Sequence, residues 1–296
     1  MPAPSSAPRN AAVQVRRVLL GLLVANLAVL AAKAVIGIAS GSLAVLGDAL
    51  HSSVDSIYNV LGLVVVRVAA QAPDEEHPYG HGKFETLGAL AVVVFLSITC
   101  FELARSAVQK LIHGGHVIAL GDMGLVVLLT TLGVNVLVAW YENRRGHELK
   151  SELLIADAAH TRTDVFITIG VLIGVLFARR GYTWVDPVVA LAVALLIVRV
   201  AYQIFARTVP VLVDERAIPA RTILQTAQAV DGVRAAYAIR SRGARGAGPG
   251  PRYAEVTIAV DPRVNVAEAH AIADEVEERL KRDLDLTEVS VHVEPS

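Results

Sequence analysis

Apolar residues in this chain gather into six long blocks, at 17–39, 43–70, 85–111, 119–141, 151–178 and 184–206. Each reaches the length of about 20 residues that a helix needs to cross a bilayer core, so six transmembrane helices are expected. Glycine and proline punctuate the gaps: Gly41, the stretch from Pro73 to Gly82, Gly114 with Gly115, Gly146, and Gly181. The second and fifth blocks are the least hydrophobic, because each carries a polar phrase in its interior. After Thr208 charges become frequent and the apolar period changes. Helices are expected at 218–230 and 266–284, the latter opened by Asn265, and strands at 233–240, 253–260 and 289–293, in the order αββαβ. The glycine-rich run from Gly243 to Gly250 reads as a flexible hairpin loop. The expected organisation is a disordered tail over 1–14, an all-α polytopic membrane domain over 15–208 and a small α+β domain over 209–296. About 85 residues form only a marginal core, so a partner subunit is expected to cover one face of the sheet.

A hydrophobic content of 54% and a mean hydropathy of +0.53 exclude an ordinary soluble domain. The net charge of −1, with basic residues dispersed among acidic ones or set beside the apolar blocks, excludes the electrostatic footprint of a nucleic-acid binder. A single cysteine, Cys100, permits neither an internal disulfide nor a thiolate zinc site, so any metal must rely on His, Asp and Glu. The first 12 residues lack an apolar core followed by a cleavage site, and the first apolar block is expected to remain as a helix. Arg9, Arg16, Arg17, Arg67, Lys83, Arg144, Arg145 and Lys150 fall on one side of the membrane, against Lys110, Arg179 and Arg180 on the other. Both termini are therefore expected in the cytoplasm, with the chain a multi-pass protein of a bacterial inner or plasma membrane.

The two polar phrases are nearly the same. One is Asp48-Ala49-Leu50-His51-Ser52-Ser53-Val54-Asp55, the other Asp157-Ala158-Ala159-His160-Thr161-Arg162-Thr163-Asp164. An ionisable group at the centre of a bilayer costs on the order of 3 kcal/mol unless it is compensated, and a bound cation is the simplest compensation. In each phrase the His and the second Asp are four apart, which places them on one face of a helix. Two such faces turned together would offer two imidazoles and two carboxylates, a four-ligand set suited to tetrahedral Zn²⁺. The alternative is that these polar groups only hydrogen-bond across a helix bundle. Asp48 and Asp157 precede each His by three residues, and would either accept from the imidazole N–H or line an aqueous approach. His113, His116 and His147 read as solvated loop histidines, while Lys33 and Glu102 would pair with other helices or snorkel.

With these residues set out, the chain resembles the cation diffusion facilitator family of metal/proton antiporters. The matching words are Gly41-Ser42-Leu43-Ala44, the run from Pro73 through His77-Pro78-Tyr79-Gly80-His81-Gly82-Lys83-Phe84-Glu85, the two His/Asp pairs, Glu268-Ala269-His270-Ala271-Ile272-Ala273-Asp274, and Val291-His292-Val293-Glu294-Pro295. The resemblance implies six transmembrane helices, a ferredoxin-like cytoplasmic domain and a homodimer. It implies that His51, Asp55, His160 and Asp164 form an intramembrane transport site, in a combination that in the family accompanies zinc. It also implies a second site at Asp74, His77 and His81, an ion pair between Lys83 and Asp214, and cytoplasmic metal ligands at His270, His292 and Glu294. Many members have two further histidines where this chain is read to have Arg234 and Thr257, so a mononuclear cytoplasmic site, or none, is expected.

No phosphate loop of the form G-x-x-x-x-G-K-[ST] is present, which leaves an ion gradient as the simpler energy source. Imidazole binds metal only when neutral, so protons and Zn²⁺ compete for His51 and His160. The expected function is export of Zn²⁺, or of Cd²⁺, Co²⁺ or Fe²⁺ as alternative cargo, in exchange for protons by alternating access. A membrane metalloenzyme would leave one zinc position open and supply a nearby base. A passive channel would use weaker rings of oxygen ligands. The four-ligand set argues against both.

Overall fold

The computed structural model describes residues 7–40, 43–113, 122–178, 180–244 and 251–296. The side chains of residues 7–11, 37, 40, 43–48, 50, 51, 54, 55, 122, 123 and 178 lie outside that description. Gly41, Gly114, Gly115, His116, Arg179 and the 245–250 part of the hairpin loop are likewise outside the described residues.

Six helices fall on the six apolar blocks: α1 (Ala7–Ser40), α2 (Leu43–Ala69), α3 (Lys83–His113), α4 (Asp122–Glu148), α5 (Glu152–Ala178) and α6 (Val185–Leu212). Five of them hold spans long and apolar enough to cross a membrane, and α2 adds the shorter apolar stretch Ser56–Ala69. The span in α5 has the lowest hydropathy of the five, 1.4 against 1.9 to 2.3, as its polar phrase requires. Helix α1 begins at Ala7, so residues 7–14, which the composition assigned to a tail, are helical. Pro8 stands in the first turn, where its missing N–H leaves no bond unmade.

Gly146 was expected as a break between the fourth and fifth blocks, yet it lies inside α4. It serves close approach instead, since a Cβ there would meet Ile155 Cγ1 at 2.8 Å and the Ile155 backbone N at 3.1 Å. The chain turns just beyond it: Lys150 has φ 52°, and Ser151 N–H donates back to Gly146 O at 2.9 Å. Helix α5 is central to the bundle. Leu153 through His160 are all buried, with Ala156 and Ala159 packed against Ala89, Leu96, Val193 and Ile197 of α3 and α6. Its Leu153 and Leu154 pack on the other side against Leu19 and Leu22 of α1 and Val66 of α2. Small alanines let backbones approach in lipid, where packing replaces the hydrophobic effect as the drive for association. The outer faces carry large exposed apolar side chains such as Val24, Leu137 and Leu195, as lipid contact demands.

The chain divides into two compact units, residues 1–205 and 206–296. In the second unit, α7 (Ala220–Gln228) and α8 (Val266–Leu284) cover one face of a sheet of β1 (Ala235–Gly243), β2 (Arg252–Val260) and β3 (Glu288–Pro295). The strand order is β1-β2-β3, with β1 and β2 antiparallel and β2 and β3 parallel. Asn265 caps α8 with a full capping box to Glu268. Ile223, Val256, Ile258, Val276 and Leu280 form the core between helices and sheet.

Gly88 of α3 is a second close approach, where a Cβ would lie 2.7 Å from Val65 Cγ1 and 3.2 Å from Leu153 Cδ1. Gly88→Ala should destabilise the protein by about 1–3 kcal/mol through overpacking. Gly133→Ala, where a Cβ meets nothing within 4 Å, should not. Thermal unfolding of the purified protein in detergent measures the difference.

Candidate metal centre

Asp157, His160 and Asp164 stand on one face of α5, three and four residues apart. His160 is 7% exposed, and its Nε2 lies 4.0 Å from Asp164 Oδ2. The hydroxyls along this stretch are turned back on the helix: Thr163 donates to Ala159 O at 2.9 Å and Thr168 to Asp164 O at 2.8 Å. Local back-bonding of this kind satisfies a hydroxyl without a partner helix. Thr161 is placed to donate across to Glu142 Oε2 of α4 at 2.9 Å as well as back to Asp157 O at 3.2 Å, and Glu142 is 1% exposed.

The side chains of Asp48, His51 and Asp55 lie outside the described residues, but their neighbours on α2 do not. Tyr58 meets the His160 ring edge-on, with centroids 5.4 Å apart and planes at 75°. Ser52 shares a cavity of about 170 Å³ with Asp164, lined also by Asn26, Lys33, Asn135 and Thr168. Lys33 of α1, 4% exposed, donates to Ser52 Oγ at 2.9 Å, so it bonds to another helix rather than snorkelling. A smaller cavity of about 30 Å³ holds Asp157 and His160 among Tyr58, Gly62, Gly88 and Leu153. The α5 residues thus face two cavities, one toward the helix start and one toward its end.

The loop between α2 and α3 gathers Asp74, His77 and His81, each offering one ligand atom with all three within 4.8 Å of one another. Asp74 Oδ1 accepts from the His77 backbone N–H at 2.6 Å, and Asp74 Oδ2 lies 3.4 Å from His81 Nε2. The two imidazole rings are 4.2 Å apart. Gly80 makes the turn with φ 82°, a conformation that favours glycine. The His77 backbone N–H holds the Asp74 carboxyl below its ordinary range, with smaller help from the two imidazoles. His81 is buried, and its Nδ1 has no hydrogen-bond partner among the described residues. Two imidazoles and a carboxylate fit a transition metal.

In the second unit His292 Nε2 lies 3.5 Å from Glu294 Oε1, and Tyr237 OH donates to Glu294 Oε2. That bond pushes the Tyr237 hydroxyl above its ordinary pKa. Tyr237, Thr257 and His292 occupy one cross-strand row. Arg234 is engaged elsewhere, with Asp261 and with Ser296 Oγ at 2.9 Å. His270, on α8, lies 3.7 Å from Asp274, and it forms no three-ligand group with His292 and Glu294 among the described residues. Val291 and Val293 contribute to the core under the helices, so His292 between them faces the other side of the sheet from α8. Asp214 lies 3.8 Å from Arg242 Nη1 within its own unit. His113 and His147 are exposed at helix ends, each bonded to the backbone carbonyl four residues before it.

Sequence reading missed Tyr58, Glu142 and Tyr237. Tyr58 had a signal, since it stands three residues after Asp55 on the same helical face.

Residues 19–213 match the model of the cation efflux transmembrane domain, and residues 218–296 that of the cation efflux protein cytoplasmic domain. The chain is 33% identical over 293 residues to metal tolerance protein C1 of Arabidopsis thaliana, covering 93% of this chain and 61% of that longer protein. It is 33% identical over 269 residues to the uncharacterized transporter YdbO of Bacillus subtilis, covering 89% of each. Against the manganese efflux system protein MneS of Bacillus subtilis it is 30% identical over 275 residues, covering 92% of each. The chain belongs to the cation diffusion facilitator family of metal efflux transporters, and it is an integral, multi-pass membrane protein.

Thr161→Val should leave the buried Glu142 without one of its donors and destabilise the protein by about 1–3 kcal/mol. Thr130→Val, which removes an exposed back-bonded hydroxyl, should cost less than half as much. Paired thermal unfolding measurements check this.

Proposed function

We propose that this protein exports Zn²⁺ from the cytoplasm in exchange for protons, as a homodimer working by alternating access, and that it is not an enzyme. The cargo is held by His51 and Asp55 of α2 with His160 and Asp164 of α5. One observation carries this reading: Tyr58, three residues after Asp55 on α2, lies against His160, and Ser52, next to His51, lines the Asp164 cavity. These two contacts support a reading in which α2 and α5 share the ion.

Protons and metal compete for the imidazoles, and that competition is the coupling. Occupancy shifts the equilibrium between the two arrangements only by its difference in affinity for them. The loop site of Asp74, His77 and His81 binds a second ion in a structural or regulatory role. His292 and Glu294 offer a weak cytoplasmic site, and His270 would join an ion only through a different chain. Both termini lie in the cytoplasm, at a bacterial inner or plasma membrane. A relative bears a name for manganese efflux, but two imidazoles favour Zn²⁺ over the harder Mn²⁺. Cd²⁺, Co²⁺ and Fe²⁺ remain the alternative cargoes.

Zinc flux in proteoliposomes, with and without an imposed pH gradient, tests the reading. Flux should follow the gradient, and Asp164→Ala should lower it to the rate of protein-free vesicles while leaving the protein folded. Gradient-independent flux, or full flux in the variant, contradicts the proposal.

A further inference from the structure

Glu85, in the first turn of α3, is not among the groups assigned to the transport sites, yet it reaches the start of α5. Its Oε1 accepts from Ser151 Oγ and, at 3.4 Å, from the Leu153 backbone N–H. Ser151 Oγ in turn accepts from Leu154 N–H at 3.3 Å. The first N–H groups of a helix have no partner within the helix, and here a carboxylate from another helix supplies one, at the end where the helix dipole favours negative charge. Ser151 is 2% exposed and Glu85 half-buried, so the contact is partly buried.

One turn further in, Gly88 is wedged against Val65 and Leu153. These same residues wall the cavity of about 30 Å³ that holds Asp157 and His160, room for only one or two waters. On the other side of the site, the cavity containing Asp164 measures about 170 Å³. The site is therefore narrow toward the 70–82 loop and wider toward the far side, and Glu85 bridges two of the helices that enclose the narrow end.

From this arrangement we propose that Glu85 is a positioning residue for metal transport, holding the start of α5 against α3 so that the path from the loop side to His160 is closed. Release of its bonds to Ser151 and Leu153 is the step that opens that side. The inference rests on the alternating-access reading above, but a test that needs no metal separates the two.

In the full-length protein with Cys100→Ser, single cysteines are placed by Ala91→Cys in the narrow cavity and Thr131→Cys in the wide one. Their reaction rates with a membrane-impermeant maleimide are then measured in detergent. Glu85→Ala should speed labelling at position 91 by about tenfold and slow it at 131, a shift within the usual range of coupling between two conformations. Ser151→Ala, which removes the donor from the other helix, should act in the same direction. Glu85→Gln, whose amide oxygen accepts the same bonds, should stay within about twofold of the parent. Unchanged rates in both Glu85→Ala and Ser151→Ala overturn the proposal. So do rates that rise together at both positions, the mark of lost packing, and a Glu85→Gln variant as fast as Glu85→Ala. A labelling shift without pH-driven zinc flux leaves the latch standing and rejects the antiport reading alone.

Discussion

An imidazole and two carboxyl groups buried in an apolar helix bundle constrain everything around them. Asp157, His160 and Glu142 are buried, and Asp164 half-buried, on helices that are apolar over most of their length. Ionisable groups in such surroundings persist only when partners compensate them. The bundle answers by placing α5 at its centre, between α3 and α6 on one side and α1 and α2 on the other. Alanines and glycines at 88, 146, 156 and 159 let the neighbouring backbones close in around it. A transporter needs this tension, because a group that is costly when uncompensated responds strongly to a bound ion or proton.

The placement of α5 between two cavities gives that response a direction. His160 and Asp157 border the narrow space toward the loop, and Asp164 the wider space beyond. In the proposed mechanism a moving α5 would couple the two spaces, since the polar groups on its face would shift together. The loop histidines sit just before α3, and Phe84 N–H donates to His81 O at 3.0 Å. The loop therefore runs directly into the helix whose Glu85 reaches α5.

Much of the fold was legible because the signals were local. Apolar runs of bilayer length need no knowledge of tertiary contacts, and the Asn265 to Glu268 capping box marked the start of α8 within one turn. The loop triad was legible for the same reason, lying within eight residues. What sequence reading missed depends on distant contacts. Gly146 reads as a breaker in isolation, and only the approach of Ile155 explains a glycine inside a helix. Glu85 and Ser151, 66 residues apart, carry no shared pattern. Tyr237 meets Glu294 across the sheet, 57 residues away, and no local pattern links the two. His270 and His292 are ligands only by the family resemblance, and which sheet face α8 covers decides whether they meet.

In the proposed mechanism one divalent cation is held within the membrane by nitrogen and oxygen ligands from α2 and α5. X-ray absorption at the zinc edge, on protein whose loop and cytoplasmic ligands have been replaced by alanine, tests it most directly. The account predicts one bound zinc with two nitrogen and two oxygen neighbours at about 2.0–2.2 Å, lost when Asp164 and His160 are also replaced. A zinc signal that survives that replacement, or one whose neighbours are oxygens alone, contradicts it.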